Sequence, residues 1–339
     1  MKLISILLVE NNRSGCMNDE QFIKIFQENY NRVYNYIGGG DQQLIMSLAC
    51  KYTLAKKQFS GVILQKVIEH FGEEAKLPFS IQNFSTISYK IAAQLIQEQD
   101  IKLAVSNLIE NDRILKEVKF KNSSLRIIGA LFLRENKQEH AKRAKQLFDA
   151  MNRNQRILTS KEDIPYVVVL TASNEAQPLK QAETIVCYYN ALRKQRFIIG
   201  NHLQALAQIM TIYSSSYNEI LMQYVVQLKE ELIKRNIKVK KVHYPFLGFL
   251  ALTATDNSKV DEIVALYNQL TEQKIFKNAK EFALIIAIQK TVQDLIEVQE
   301  MIDITFLSHL TDLLDLADFI LEIGSFIPGG ILDVVDIFK

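Results

Sequence analysis

Two short stretches contain the residues whose types and spacing could do chemistry. The first, 156–165, combines a cation, hydroxyls and carboxyls, and the second, 200–206, offers amide side chains. The candidate binding surface consists of Arg156, Thr159, Asp163, Asn201 and Gln204. Such side chains can hydrogen-bond the backbone of a bound peptide, as in a polar groove. A cryptic catalytic site around Thr159, Asp163 and Asn201 is the alternative.

Helix initiation explains much of both stretches. Thr159 or Ser160 can cap a first helix, and Pro165 suits its first turn, where a missing N–H is harmless. Asn201 can cap a second helix, with Gln204 at the spacing of a capping box. Both stretches are therefore predicted to start helices, with or without a binding role.

Signatures of a metal, a cofactor or a nucleophile do not occur elsewhere in the sequence. The five histidines are far apart, and none forms HExxH. The glycines 38–40 lack the following lysine of a phosphate loop, and the acidic run 312–318 lacks the glycine of a calcium loop. We therefore predict no metal and no cofactor, and the sequence favours a protein that is not an enzyme.

The composition predicts an all-α protein. Hydrophobic residues make up 48% and charged residues 23%, while 12 glycines and 5 prolines are few for 339 residues. Three widely spaced cysteines without CxxC pairing fit a reducing compartment, so a cytoplasmic location is expected. No run of 18 apolar residues occurs, and we expect no association with membranes.

A repeated spacing predicts how the helices are organised. An apolar residue is followed five positions later by Phe or Ile, or six positions later in one copy. The pairs are Leu115/Phe120, Met151/Ile157, Leu192/Phe197, Leu232/Ile237 and Leu270/Ile275. Their spacing of 36 to 41 residues is typical of an α-solenoid of helical hairpins with an extended concave face. The alternative is an irregular helical bundle.

The chain divides into four expected regions. Residues 1–16 are expected to be an untranslated leader or disordered, because 13–15 can be encoded as a ribosome-binding sequence ahead of Met17. Mass spectrometry of the native N-terminus tests this. Residues 17–100 form an N-terminal helical region, and 101–291 form the hairpin repeats. Residues 292–339 form an acidic C-terminal cap or a docking helix.

Charge is unevenly distributed although the net charge is only +2. Residues 113–161 contain 13 Lys and Arg against 4 Asp and Glu, whereas 292–339 contain 10 acidic residues and one Lys. Aromatic residues do not alternate with the basic ones, which argues against a nucleic-acid partner. The acidic end contains an amphipathic helix that could cap the array, dock a partner or fold back on the basic middle.

The stretches LTSKEDIP followed by VVVLTA, within 151–172, and GNHLQALAQIM resemble the signature blocks of a Gram-positive bacterial family, domain of unknown function number four thousand and three. The resemblance covers roughly residues 18–295. It implies an all-helical bacterial protein of the cytoplasm and no particular activity. Gln155 and Gln208 stand where the family pattern is expected to have histidine, so histidine-based chemistry is not expected here.

The leading interpretation is a cytoplasmic helical-repeat protein that binds a protein or peptide as a scaffold or regulator. This rests on architecture rather than on a site. The second hypothesis is a tetratricopeptide-like regulatory receptor that senses a short peptide in a groove lined by Asn and Arg. The third is an enzyme with a cryptic site near Thr159, Asp163 and Asn201. The sequence contains no indication of an oligomeric state.

Overall fold

The computed structural model of the chain describes residues 17–73, 85–96, 98, 100–134, 136–154, 158–212, 214–254, 258–298 and 308–318. Within these residues all regular structure is helical, which confirms the all-α prediction. The helices are α1 Asp19–Ile37, α2 Gln42–Leu54, α3 Gly61–Glu73, α4 Thr86–Leu95, α5 Ile101–Glu117, α6 Ser124–Leu131, α7 Lys137–Asn154, α8 Asp163–Leu170, α9 Pro178–Lys194, α10 Asn201–Ile209, α11 Glu219–Lys234, α12 Tyr244–Thr253, α13 Ser258–Glu272 and α14 Lys280–Val298. Short 3₁₀ turns, Lys241–His243 and Lys274–Phe276, precede α12 and α14.

Short polar side chains start many of these helices by accepting an N–H that the first turn leaves free. Asn18 Oδ1 accepts the Gln21 N–H at 2.9 Å before α1. Other side-chain caps come from Asp41, Ser85, Asp100, Ser123 and Asn218. Gly38 ends α1 with a φ of 86°, a conformation that glycine adopts without strain.

A shared way of ending helices explains most of the repeated apolar spacing. After α5, α9 and α11 the chain passes through Lys119, Arg196 and Asn236, which have φ values of 69°, 59° and 62°. The next residue donates its backbone N–H to the carbonyl five residues earlier. These bonds are Phe120 to Leu115 at 3.2 Å, Phe197 to Leu192 at 3.2 Å and Ile237 to Leu232 at 3.0 Å. This is the Schellman motif, whose two apolar side chains typically touch.

Two copies of the spacing behave differently. Ile157 lies outside the described residues, and α13 is followed by the 3₁₀ turn Lys274–Phe276 instead of a residue with positive φ. The apolar pairs that do form the motif are all buried. The spacing is therefore a local signal for the end of a helix, and it does not by itself specify how hairpins stack.

Substituting Lys119 by glycine is expected to raise the free energy of unfolding by up to about 1 kcal/mol. The left-handed conformation costs a residue with a side chain about 1–2 kcal/mol, part of which glycine loses again through chain entropy. The matched variant Lys116→Gly, in the last turn of α5, should instead destabilise by about 0.5–1 kcal/mol. Urea denaturation of both variants checks this, and a destabilising effect of K119G would contradict it.

Alternate helices form two layers. Odd-numbered helices contact the next odd-numbered helix from α1 to α13, and each also packs on the even-numbered helix that follows it. Even-numbered helices contact each other from α6 to α14, and α2 contacts α4. Every residue of α8 is buried, whereas the odd-numbered helices expose one polar face. The even-numbered helices therefore form the interior.

The first and last hairpins meet. Helix α14 contacts α2, and Gln27 of α1 donates a hydrogen bond at 2.6 Å to Gln273, directly after α13. The rings of Phe26 and Phe276 stack at the same seam, with centroids 5.6 Å apart. The predicted solenoid with an extended concave face is therefore not confirmed, and the alternative of an irregular helical bundle fits this packing.

The acidic C-terminal region contributes a helical stretch at 308–318, here called the acidic segment. It packs against the even-numbered layer near α2, α4 and the residues that follow α6. The predictions for residues 1–16 and for the end of the acidic helix beyond 318 lie outside the described residues. None of the helices described has both the length and the apolar character needed to cross a membrane.

Candidate functional site

Asp163 is the centre of a buried polar network that joins α8 to α10. Its side chain is at the first position of α8 and only 5% of the residue is exposed. Oδ2 accepts the backbone N–H of Ser160 at 2.7 Å. Oδ1 accepts two amide N–H groups, from Gln204 Nε2 at 2.8 Å and from Gln208 Nε2 at 2.7 Å. The two glutamines lie one turn apart on α10, so both face the same carboxylate.

A second acid–amide pair lies beside the first. Asn201 Nδ2 donates to Glu162 Oε2 at 2.6 Å, so consecutive acids at the start of α8 are bound by amides from α10. Burial raises the pKa of Glu162, and the hydrogen bond from Asn201 opposes that rise. Five polar side chains thus hold the two helices in one register.

The capping roles expected for these residues are wrong. The N-cap of α10 is Gly200, with a φ of 136°, and it makes no side-chain capping bond. Asn201 and Gln204 instead direct their amides across to α8, because the buried carboxylates there require donors. Ser160 does not cap α8 directly, since its hydroxyl accepts the N–H of Glu162 at 3.2 Å in the preceding turn.

The environment of Asp163 shifts the pKa of its carboxyl toward neutral pH. Burial raises its pKa from 3.8 to about 6, although the bonds from Ser160, Gln204 and Gln208 favour the charged form. Burial also raises the pKa of the Tyr166 phenol, and the nearby Asp163 charge adds to that. A carboxyl that titrates near pH 6 has the acidity suited to proton transfer. Three donors bind it directly, however, which also suits a purely structural role.

Two acceptors in this network have no donor among the described residues. They are the amide oxygens of Gln204 and Gln208, both in side chains that are almost fully buried. An unpaired buried acceptor costs about 1–3 kcal/mol. Because both amide nitrogens already donate to Asp163, a donor for the oxygens would have to come from protonation of that carboxyl or from a bound molecule.

The structure brings together three of the five predicted residues, Asp163, Asn201 and Gln204. Because Asp163 and Gln204 are buried, they do not line an open groove. Thr159 is half-buried in the turn before α8, and Arg156 lies outside the described residues. Gln208 was not among the predicted residues. Its position four residues after Gln204 was the signal that could have included it.

The acidic segment forms the second candidate site, and its three aspartates each bind a cation. Arg134 Nη2 lies 2.6 Å from both carboxylate oxygens of Asp312. Lys51 Nζ of α2 donates to Asp315 Oδ1 at 2.9 Å. Lys90 Nζ of α4 donates to the carbonyl oxygen of Asp318 at 2.7 Å and lies 3.7 Å from its Oδ2. The positions 312, 315 and 318 therefore bind three different parts of the chain.

Apolar contacts accompany these ion pairs. Five apolar side chains of the acidic segment are buried and belong to the hydrophobic core: Leu310, Leu313, Leu314, Leu316 and Ala317. Each buried leucine contributes about 1.5–3 kcal/mol relative to an exposed one. Burial raises the pKa of Asp312, whereas Arg134 holds it down. The surface under the segment thus combines an apolar floor with three cations.

The described residues contain no group of three or more His, Cys, Asp and Glu side chains that could hold a metal ion. The Asp163 network offers two carboxylates, whose oxygens already accept amide and backbone N–H groups. Its chemistry is therefore that of hydrogen bonding and a single titrating carboxyl.

Comparison with known proteins identifies a family that this chain matches. A family model described as "Protein of unknown function (DUF4003)" matches residues 29–316, which includes most of the acidic segment. The "Uncharacterized protein YeaA" of Bacillus subtilis (strain 168) is 23% identical over 260 residues, covering 73% of this chain and 75% of that protein. No solved structure matches the chain significantly.

Proposed function

The chain belongs to DUF4003, a bacterial family of proteins of unknown function, and from its structure we propose that this member is a protein-binding regulator. The partner is an acidic amphipathic helix of another protein, which binds where the chain's own acidic segment now lies. The observation that supports the proposal is the docking of that segment.

Charge and shape both favour such a partner. Lys51, Lys90 and Arg134 come from separate parts of the chain, yet each binds an aspartate of one helix. Ion pairs of this kind mainly determine which partner binds and in what register, while apolar burial provides most of the affinity. A foreign helix with acids at three-residue spacing and leucines between them would meet the same surface.

Two free thiols support a cytoplasmic location. Cys50 is a buried free thiol and Cys187 an exposed one, as expected in a reducing compartment. The family is bacterial, and the binding surface lies within a helical chain. We include the cytoplasmic location in the proposal for these reasons.

Ion pairs in the basic middle of the chain, residues 113–161, argue against a nucleic-acid partner. Five of its cations pair with carboxylates of the same chain: Arg113, Arg126, Arg134, Lys142 and Lys145. Pairing lowers the positive potential that phosphates would meet. Catalysis is not part of the proposed function, because the Asp163 carboxylate already accepts hydrogen bonds from three donors of its own chain.

A receptor for a short peptide is the second candidate function. The specific observation in its favour is one cleft in which Asn107, Asn111 and Arg134 converge. Amide and guanidinium side chains in one groove are suited to binding the backbone and carboxylate of a peptide.

The proposal of helix binding is tested with a fluorescent peptide of residues 308–318. In the full chain its own segment competes, so we use the variant Leu313→Asp/Leu316→Asp, which weakens that segment's apolar contacts. The peptide should bind the variant with micromolar Kd and the wild type at least about tenfold more weakly, because the wild-type site is occupied.

A peptide with all three aspartates replaced by lysine is the control and should not bind. Hydrogen exchange of residues 308–318 in the variant confirms that its own segment has left the site. If the segment has left and the acidic peptide binds no better than the lysine peptide, the proposal is wrong.

A further inference from the structure

A cleft of about 310 Å³ lies between α5, the end of α4 and the end of α6. Leucines form much of its wall: Leu95, Leu108, Leu131 and Leu133. Small-molecule sites in proteins span about 300–1,000 Å³ and combine apolar walls with a few placed polar groups. The cleft therefore has the size of a site for a ligand of one or two amino-acid residues.

Asn111 supplies an acceptor that lacks a donor. The residue is only 7% exposed, and its Nδ2 donates to the Ala130 carbonyl at 2.8 Å, which fixes the orientation of the amide. Its Oδ1 is buried and meets no donor within the described parts of the chain. This oxygen has almost no accessible surface, so a ligand N–H or O–H in the cleft reaches it when the adjoining wall shifts to expose it. The new bond would then remove a cost of about 1–3 kcal/mol.

Two cations line the same cleft. Arg134 uses Nη2 to hold Asp312, but its side chain is 45% exposed, and a guanidinium has five N–H donors in all. Lys137 is the first residue of α7, so an anion near it also lies at the positive end of the dipole of that helix. Glu98 is the one acid that lines the cleft, and Asp312 binds Arg134 from outside the lining.

We propose that this cleft binds an apolar amino acid or the free carboxyl end of a short apolar peptide. The carboxylate pairs with Lys137 and the open side of Arg134. The N–H next to the carboxyl-bearing carbon donates to Asn111 Oδ1, and the apolar side chain packs on the leucines. The inference rests on the second candidate function and is independent of helix binding.

Calorimetry with the full chain tests the proposal, using leucine and N-acetyl-leucine as probes. Tighter binding of N-acetyl-leucine indicates a peptide end as the ligand, and tighter binding of leucine indicates a free amino acid. N-acetyl-leucinamide, which lacks the carboxylate, should bind at least about tenfold more weakly. 4-Methylpentanoate, which lacks the N–H, should bind about fivefold more weakly because Asn111 Oδ1 stays unpaired.

Lys137→Gln should weaken N-acetyl-leucine about tenfold and reduce the preference over the amide. Lys142→Gln, on the same helix but outside the cleft, should leave the affinity unchanged. Equal affinity for acid and amide, unchanged affinity in K137Q, or no binding of either probe up to about 10 mM would each overturn the proposal. The wild-type chain keeps its acidic segment in these titrations, so failure here leaves the helix-binding proposal unaffected.

Discussion

Replacing Asp163 with alanine is expected to lower the free energy of unfolding by about 3 kcal/mol or more, whereas Asp163→Asn should leave it near or above the wild-type value at pH 8. Alanine removes the acceptor for Ser160 N–H, Gln204 Nε2 and Gln208 Nε2 at once. Each donor is then left unpaired in a buried place, and such donors cost about 1–3 kcal/mol each unless the site relaxes.

Asparagine preserves the network because it matches the donors and acceptors already present. Its Oδ1 can take the position of Asp163 Oδ2 and accept the Ser160 N–H. Its Nδ2 then carries two N–H groups, and the amides of Gln204 and Gln208 can turn to accept them. Turning the amides pairs the two oxygens that have no donor in the wild type, while the N–H groups of Gln204 and Gln208 give up the carboxylate as their acceptor. The substitution also removes a buried charge.

The pH dependence separates the two variants from the wild type. The folded state of the wild type raises the pKa of Asp163 from 3.8 to about 6, so it binds the proton more tightly than the unfolded state. The stabilisation from this proton is therefore complete below pH 3.8 and is lost as the pH rises through about 6. By linkage the loss amounts to about 3 kcal/mol.

Urea denaturation of wild type, D163N and D163A from pH 4 to pH 8 measures these effects. The stability of D163N relative to wild type should rise by about 3 kcal/mol across this range. Glu162, whose pKa is also raised by burial, stays in all three proteins, so its own titration cancels except for its coulombic coupling to Asp163. A flat difference between D163N and wild type would show that Asp163 does not titrate in this range.

The local part of the candidate site could be predicted from the sequence, but its connections could not. The types and positions of Asp163, Asn201 and Gln204 singled them out, and both stretches do start helices. A capping box and a bond to another helix use the same side chains, however. Which one forms depends on whether a buried carboxylate lies opposite, and that is decided by the packing of α8 on α10.

The fold shows the same division. The spacing of Leu115 and Phe120 predicted a regular array, and locally it marks a real motif that ends a helix. Whether the array stays open depends on the contact between α2 and α14, which lie more than 200 residues apart in the chain. No local pattern encodes that contact, because it arises from the summed tilt of successive hairpins.

The contacts of the acidic end could be predicted from the sequence only in part. Its helical pattern and its three-residue acid spacing were visible in the sequence, and one of its partners, Arg134, belongs to the basic middle. The other two partners, Lys51 and Lys90, come from the N-terminal region, which has no excess of positive charge to mark them. Charge counts over long windows find a basic region but not a single buried lysine.

Lys90 therefore provides the second large expected effect. It is 3% exposed, and its Nζ contacts both the carbonyl and the carboxylate of Asp318. In Lys90→Met the side chain keeps its length and apolar stem but leaves a partly buried carboxylate without its cation. Breaking a buried pair from one side costs about 3–5 kcal/mol, and partial exposure of Asp318 reduces this to about 2–3 kcal/mol.

The double variant Lys90→Met/Asp318→Leu should recover most of that loss, because an apolar pair of similar volume is close to neutral in place of a buried ion pair. The coupling free energy of the cycle should thus be about 2 kcal/mol. Lys51→Met, at the more exposed pair with Asp315, should cost about 1 kcal/mol or less.

Urea denaturation of the wild type, both single variants and the double variant measures the free energies of the cycle. Hydrogen exchange at 308–318 shows where in the structure the stability is lost. In K90M the amides of the acidic segment should exchange at least about tenfold faster than in wild type, whereas those of α11, which contacts α9, α12 and α13, should not change. Strict additivity of the two single substitutions would mean that the Lys90 ammonium and the Asp318 carboxylate do not interact, since Asp318→Leu keeps the carbonyl that Lys90 also binds. The charge at position 318 would then give an acidic partner no advantage, and only Arg134 and Lys51 would still select acids at this surface.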